Sequence, residues 1–203
     1  MKKSILQLAL VVSVITTGTL SLAGQGDFGP VNAKGFVKRA EVGGAGLYVF
    51  SMWDHGRNVP IGEDGRFSVA ILSSARPQKI SVRDAQDKTR ALALVLSQEA
   101  QDVSFDALST AMAIVFGDPS TITNAQEMKK YLAMAEQRQS FQDFVVFLKA
   151  NLPLRSIEEL VSDETYVALF EKCNREIFNE DRAAIHQSLY EAQGQLEKSF
   201  YEK

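Results

Sequence analysis

Two histidines, one cysteine and one tryptophan bound the side-chain chemistry open to this chain. Nucleophilic catalysis would need a serine or Cys173 beside His55 or His186, with a carboxylate to orient the imidazole. Asp54 adjoins His55, but neighbours at a strand end point to opposite sides, and no Gly-x-Ser-x-Gly elbow occurs. A structural zinc needs about four ligands, a spacing that two distant histidines and one cysteine do not supply. Asp84-Ala85-Gln86-Asp87 lacks the carboxylate alternation, central glycine and terminal glutamate of an EF-hand loop. There is no Walker loop, and Gly43-Gly44-Ala45-Gly46 precedes a β-type run rather than a helix, so it reads as a hairpin turn. The expectation is a protein without catalytic residues, metal or cofactor.

One segment has the composition of a binding site. Trp53-Asp54-His55-Gly56-Arg57 places an indole, a carboxylate, an imidazole and a guanidinium at a turn, groups that stack on a sugar or grip an anion. The ligand-binding candidates are therefore Trp53, Asp54, His55 and Arg57. Set against this, the only tryptophan ends an apolar run, and the expectation for such a residue is a place in the core with a polar turn after it. The acidic pairs Glu158-Glu159, Asp163-Glu164 and Glu180-Asp181 resemble acid/base couples, but each falls where a helix should start, so they read as charge that favours the helix dipole. Cys173 shares an apolar helical face with Tyr166, Leu169, Phe170 and Ile177 and reads as a packed thiol; being alone, it forms no intrachain disulfide. His186 reads as a solvated helix residue.

The elements that must position these groups follow from patterning. Met1-Lys2-Lys3 supplies a positive start, residues 5–15 are almost wholly apolar, and Ser21-Leu22-Ala23 fits a small-x-small cleavage site, the layout of a secretory signal peptide over residues 1–24. Leu22-Ala23-Gly24 matches the opening of a lipoprotein box, but Gln25 stands where the lipid-bearing cysteine would be. The expectation is export to the periplasm or the extracellular space, with no stable membrane span after cleavage. The remaining chain is uneven. Residues 25–103 carry nine of the 13 glycines with 10 basic and 9 acidic residues, whereas residues 104–203 carry eight of the 12 phenylalanines with 10 basic and 16 acidic residues. This mild overall acidity gives no reason to expect nucleic acid.

In residues 25–103, apolar runs are short and separated by turn residues about every ten positions, as in a small antiparallel sandwich. Residues 47–53 are apolar on both faces; Phe67, Val69 and Ile71 share one face at period two, as do Leu92, Leu94 and Leu96. Residues 104–203 read as four or five amphipathic helices. Asp106 caps the first, Asn124 and Glu127 have capping-box spacing for the second, and Ser156 and Glu159 repeat that spacing. A last helix over 181–203 carries Ile185, Leu189, Leu196 and Phe200 on one stripe. The fold class expected is α+β: a β-sandwich, then a helical domain.

Gly35-Phe36-Val37, then Gly44-Ala45-Gly46-Leu47-Tyr48-Val49, then Asp64-Gly65-Arg66-Phe67 resemble, in order and spacing, the carboxypeptidase regulatory-like domain, a transthyretin-like sandwich. The likeness covers residues 30–100; the family's Gly-x-Tyr strand is replaced by Arg76-Pro77-Gln78-Lys79-Ile80-Ser81-Val82. Residues 104–116 resemble the first helix after such sandwiches in some exported bacterial envelope proteins. The resemblance implies a non-catalytic binding or scaffolding module with an envelope-protein or carbohydrate partner. The competing expectation is a hydrolase or transferase with its site between the two segments.

Overall fold

The computed structural model describes residues 30–54, 57–74, 77–96, 100–117 and 125–181. The signal segment, His55, His186 and nearly all of the expected last helix lie outside the described residues. Among the described residues the fold is α+β, with a three-stranded and a four-stranded sheet and five α-helices. The strands are β1 (Pro30–Val37), β2 (Tyr48–Phe50), β3 (Val59–Pro60), β4 (Arg66–Leu72), β5 (Gln78–Arg83), β6 (Thr89–Val95) and β7 (Val103–Phe105). The helices are α1 (Ala107–Val115), α2 (Ala125–Ala135), α3 (Gln139–Asn151), α4 (Ile157–Leu160) and α5 (Glu164–Arg175), which runs on into a π-helical turn, Glu176–Asp181.

The first sheet has the order β4-β1-β7 and the second β3-β2-β5-β6. Period-two patterning sends one side chain set of every strand inward. Phe67, Val69 and Ile71 of β4 are buried in one cluster with Ala33 and Val37 of β1, Val49 of β2, Ile80 and Val82 of β5, and Ala91, Ala93 and Val95 of β6. Phe67 and Phe105 close it, their ring centres 5.3 Å apart.

Three strand expectations need correction. The pairing is not purely antiparallel, because β7 lies parallel to β1, with Gly35 beside Val103; the chain reaches β7 only after every strand of the second sheet. Gly43-Gly44-Ala45-Gly46 is not a hairpin turn. It carries the chain from β1 in one sheet to β2 in the other, using positive φ at Gly44 (119°) and Gly46 (62°), a conformation that costs a residue with a Cβ. The strand expected over 47–53 ends at Phe50: beyond it the chain turns, leaving Met52 75% and Trp53 47% exposed.

β6 serves both halves of the chain. Its alanine face, continued by Val95, packs into the sheet core, while Leu94 and Leu96 join a second cluster with Ala107, Ala111 and Val115 of α1. α1 lies across β6, and its small residues let the backbones approach. The Ser109 and Thr110 hydroxyls bond the Leu92 carbonyl, and the Leu92 amide donates to Thr110 Oγ1 at 3.2 Å. The rest of the second cluster is aromatic and aliphatic: Tyr131 of α2, Phe141, Phe144 and Leu148 of α3, and Leu152, Leu160, Tyr166, Cys173 and Ile177. Three caps are those the sequence signals, and Asn124, expected to cap α2, lies outside the described residues. Asp106 and Ser109 form a reciprocal capping box, as do Ser156 and Glu159, and Asp163 accepts from Thr165 and Tyr166. No helix among the described residues is long and apolar enough to cross a membrane.

Candidate functional site

β2 alternates between the core and the outside. Val49 is buried, whereas Tyr48 and Phe50 are half-buried on the outer face of the second sheet, followed by exposed Met52 and Trp53 at the strand's end. Opposite them, β5 pairs Arg83 with Tyr48 and Ser81 with Phe50. The Arg83 guanidinium sits 4.0 Å above the centre of the Phe50 ring, a cation–π contact. Its Nη1 donates to Asp87 at 3.0 Å, the Tyr48 hydroxyl donates to the same carboxylate oxygen at 2.6 Å, and its Nε donates to Ser81 Oγ at 3.3 Å. The Tyr48 hydroxyl, then Arg83, hold the Asp87 carboxyl below its ordinary range. Burial, then the bond to Asp87, pushes the Tyr48 phenol up. The outcome is a pair of aromatic side chains with a fixed cation on the outer face, and three residues beyond Phe50 an exposed indole.

The four sequence candidates separate. Trp53 is half-exposed at the tip rather than in the core, because the strand run ends three residues before it; its amide is held by Ser51 Oγ at 3.2 Å. Asp54 is engaged structurally, Oδ2 accepting from the Ala70 amide of β4 at 3.2 Å, which ties the tip of one sheet to the edge of the other. Arg57 is exposed, its amide bonded to the Asp54 carbonyl at 2.8 Å. His55 lies outside the described residues. Tyr48, Phe50 and Arg83 escaped the sequence search, although the alternation Tyr48, Phe50, Met52 was there to be read.

Asp54 belongs to a wider pattern of guarded sheet edges. Along β4, the Arg66 amide donates to Asp64, the Ala70 amide to Asp54, and the Leu72 amide to Gln78 Oε1, while Gln78 Nε2 donates back to the Leu72 carbonyl. β3 is two residues long and contains Pro60. On β6 the edge groups go to Ser109, Thr110 and Glu158. Edges occupied in this way resist pairing with another chain's strand, so recognition falls to faces and loop tips.

The remaining chemistry-bearing groups are explained by packing. Cys173 is fully buried among helices, and burial, then Glu176, pushes its thiol up to about 12, the setting of a packed cysteine rather than a nucleophile. Glu158 accepts from the Thr89 amide through both oxygens (3.0 and 3.1 Å), Glu159 completes the α4 capping box, and Asp163 caps α5 while holding Arg155 at 2.6 Å. Glu180 and Asp181, expected at a helix start, instead end the π-helical turn. No group of three or more His, Cys, Asp or Glu among the described residues is placed to hold a metal ion. No family model matches the chain, and neither a curated protein nor a solved structure matches it.

Proposed function

We propose that this chain is an exported, non-catalytic module of a bacterial cell envelope, a transthyretin-like β-sandwich of the carboxypeptidase regulatory-like type followed by a helical domain, which binds an envelope carbohydrate at the β2 tip. The observation that carries this reading is the exposed indole of Trp53 on a tip pinned to the neighbouring sheet by Asp54. A flat aromatic ring whose amide is held by Ser51 and whose neighbour Asp54 is tied to β4 is favoured to stack on a sugar ring. Exposed Arg57, its amide bonded to the Asp54 carbonyl, and Arg83 over Phe50 supply donors for hydroxyl or acidic substituents of the glycan. The signal-like residues 1–24 and the order of the glycine motifs support the export and sandwich parts of the reading.

Trp53 is the only tryptophan, so its fluorescence reports this site alone. Titration with soluble envelope polysaccharide fragments should shift and quench the emission saturably, and Trp53→Ala with the fold intact should abolish binding measured by calorimetry. Unchanged calorimetric binding in Trp53→Ala would refute the placement of the site. Cell fractionation tests the rest: uncleaved protein confined to the cytosol removes the envelope role.

A further inference from the structure

The pairing of β7 with β1 is interrupted at its start. The Lys34 amide donates to the Ala100 carbonyl at 2.7 Å, yet the next residue, Gly35, already lies beside Val103. The extra backbone is extruded at Gln101-Asp102 as a bulge, a device that re-aims side chains beside functional sites. Two further features follow from it. The Val103 carbonyl presses so close to β1 that a Cβ on Gly35 would lie 1.8 Å from it, and Asp102 has φ 63°, the left-handed region that aspartate adopts more readily than most residues.

The extruded pair stands between two cavities and lines both. One, of about 240 Å³, lies between the sheet and α1; Leu94, Leu96, Met112 and Met128 give it an apolar wall, and Leu108 stands partly exposed beside it. The other, of about 510 Å³, is polar, with Lys34, Phe36 and the Asp64–Arg66 ion pair. Asp106 also faces the first cavity, but its carboxylate is taken by Lys38 (2.7 Å), Ser104 (2.9 Å) and the Ser109 amide (2.8 Å). The Asp102 carboxylate is exposed and takes no hydrogen bond or ion pair from the described residues.

We propose that the Gln101-Asp102 bulge is a second binding site, for a small primary ammonium compound with an apolar tail: the ammonium group on Asp102, the tail against Leu94, Met112 and Met128. An unpaired carboxylate on a residue that lines a cavity with an apolar wall favours a cation that carries hydrocarbon.

The test uses the full chain with n-hexylammonium chloride as the probe and hexan-1-ol as the uncharged control, both followed by calorimetry and by amide chemical shifts. Hexylammonium should bind saturably and about tenfold or more tightly than hexanol, with shifts centred on Leu94, Asp102 and Met112. Asp102→Asn, which tolerates the same backbone conformation, should lose about that tenfold while keeping its melting temperature. Asp102→Gly should lose the same affinity with a melting temperature equal to or above the parent's, whereas a carboxylate needed for folding would lower it. Equal affinity for the amine and the alcohol, no saturable binding, or undiminished binding by Asp102→Asn overturns the proposal, and none of these outcomes touches the Trp53 site.

Discussion

Replacing Arg90 by leucine should uncouple the two halves of the molecule. Arg90 is 8% exposed, and its guanidinium has three partners: Nε donates to the Gly43 carbonyl at 2.8 Å, Nη2 to the Leu152 carbonyl at 3.4 Å, and Nη1 lies 3.9 Å from Asp84 Oδ2. Gly43 belongs to the crossover between sheets and Leu152 to the end of α3, so one side chain joins sheet to helix. Leucine leaves the Gly43 carbonyl without its donor, at about 1–3 kcal/mol, and an uncompensated Asp84, while the Leu152 carbonyl keeps the Gly43 amide at 3.4 Å. Asp84 is softened by its own bonds, Oδ1 accepting from the Gln86 and Lys88 amides at 2.9 and 3.0 Å, and 3.9 Å is too long for a hydrogen bond to Arg90. The Gly43 carbonyl should therefore dominate, for a total of about 2–3 kcal/mol. Urea unfolding followed by near-ultraviolet and far-ultraviolet signals checks this. The parent should show coincident transitions, and Arg90→Leu a lower midpoint with the two probes drawing apart. Arg90→Lys, which keeps a cation but not the fork, should fall between. If Arg90→Leu costs less than about 1 kcal/mol, or if adding Asp84→Asn restores the whole loss, the carbonyl argument is wrong and the ion pair carried the effect.

Gly43→Ala should be more damaging than its size suggests, because the new Cβ would lie 1.8 Å from the Pro153 carbonyl oxygen; soluble yield and melting temperature should both drop, and a variant melting within a degree or two of the parent would contradict this packing. Asp106→Ala removes the α1 cap and the Lys38 partner, an expected loss of about 1–2 kcal/mol in chemical denaturation. Burial pushes the Asp106 carboxyl up, but the bonds from Lys38, the Ser109 amide and Ser104 outweigh it and hold the carboxyl below its ordinary value. A lowered folded value means that its contribution is complete above the unfolded value near about 4 and is lost as pH falls through the folded one; Asp106→Asn should flatten stability against pH in that window. Cys173→Ser should cost about 1–3 kcal/mol by burying a hydroxyl, and a thiol reagent should label the parent only on unfolding, so rapid labelling of the folded chain would refute its burial.

Much of the fold was legible because its signals are local. Asp106, Ser156 and Asp163 cap helices wherever they stand before an apolar periodic run, and Phe67, Val69 and Ile71 bury one face by period alone. The errors share a cause: they concern which sheet a segment joins. Nothing within Gly43-Gly44-Ala45-Gly46 distinguishes a hairpin from a crossover, since both need positive φ; the choice is made by β1 finding β4 and β2 finding β5 far along the chain. Trp53 was misplaced for the same reason. A run apolar on both faces reads as a buried strand, but β2 has the core on one side only, and the far side of its end is open.

The leucine face of β6 shows what long-range context adds. Leu92, Leu94 and Leu96 were legible as a shared face, and in an isolated sandwich such a face would lie toward the sheet core. It is the alanine face that lies there, and the larger residues turn outward to meet α1 and the helices behind it. Small residues inside allow two sheets to approach, and large ones outside give the helices something to cover, so the apolar demand of the second sheet exceeds what the first can satisfy. The compositional boundary near residues 101–103 therefore marks a change in local structure rather than a line across which little packing occurs: β7 begins at Val103 and returns to β1, α1 lies on β6, and Arg90 reaches Leu152. The bulge at Gln101-Asp102 sits at that turning point, where the chain leaves one layer for the next and two cavities meet. Its register depends on β1, some 70 residues earlier in the chain, which is why no local motif announced it.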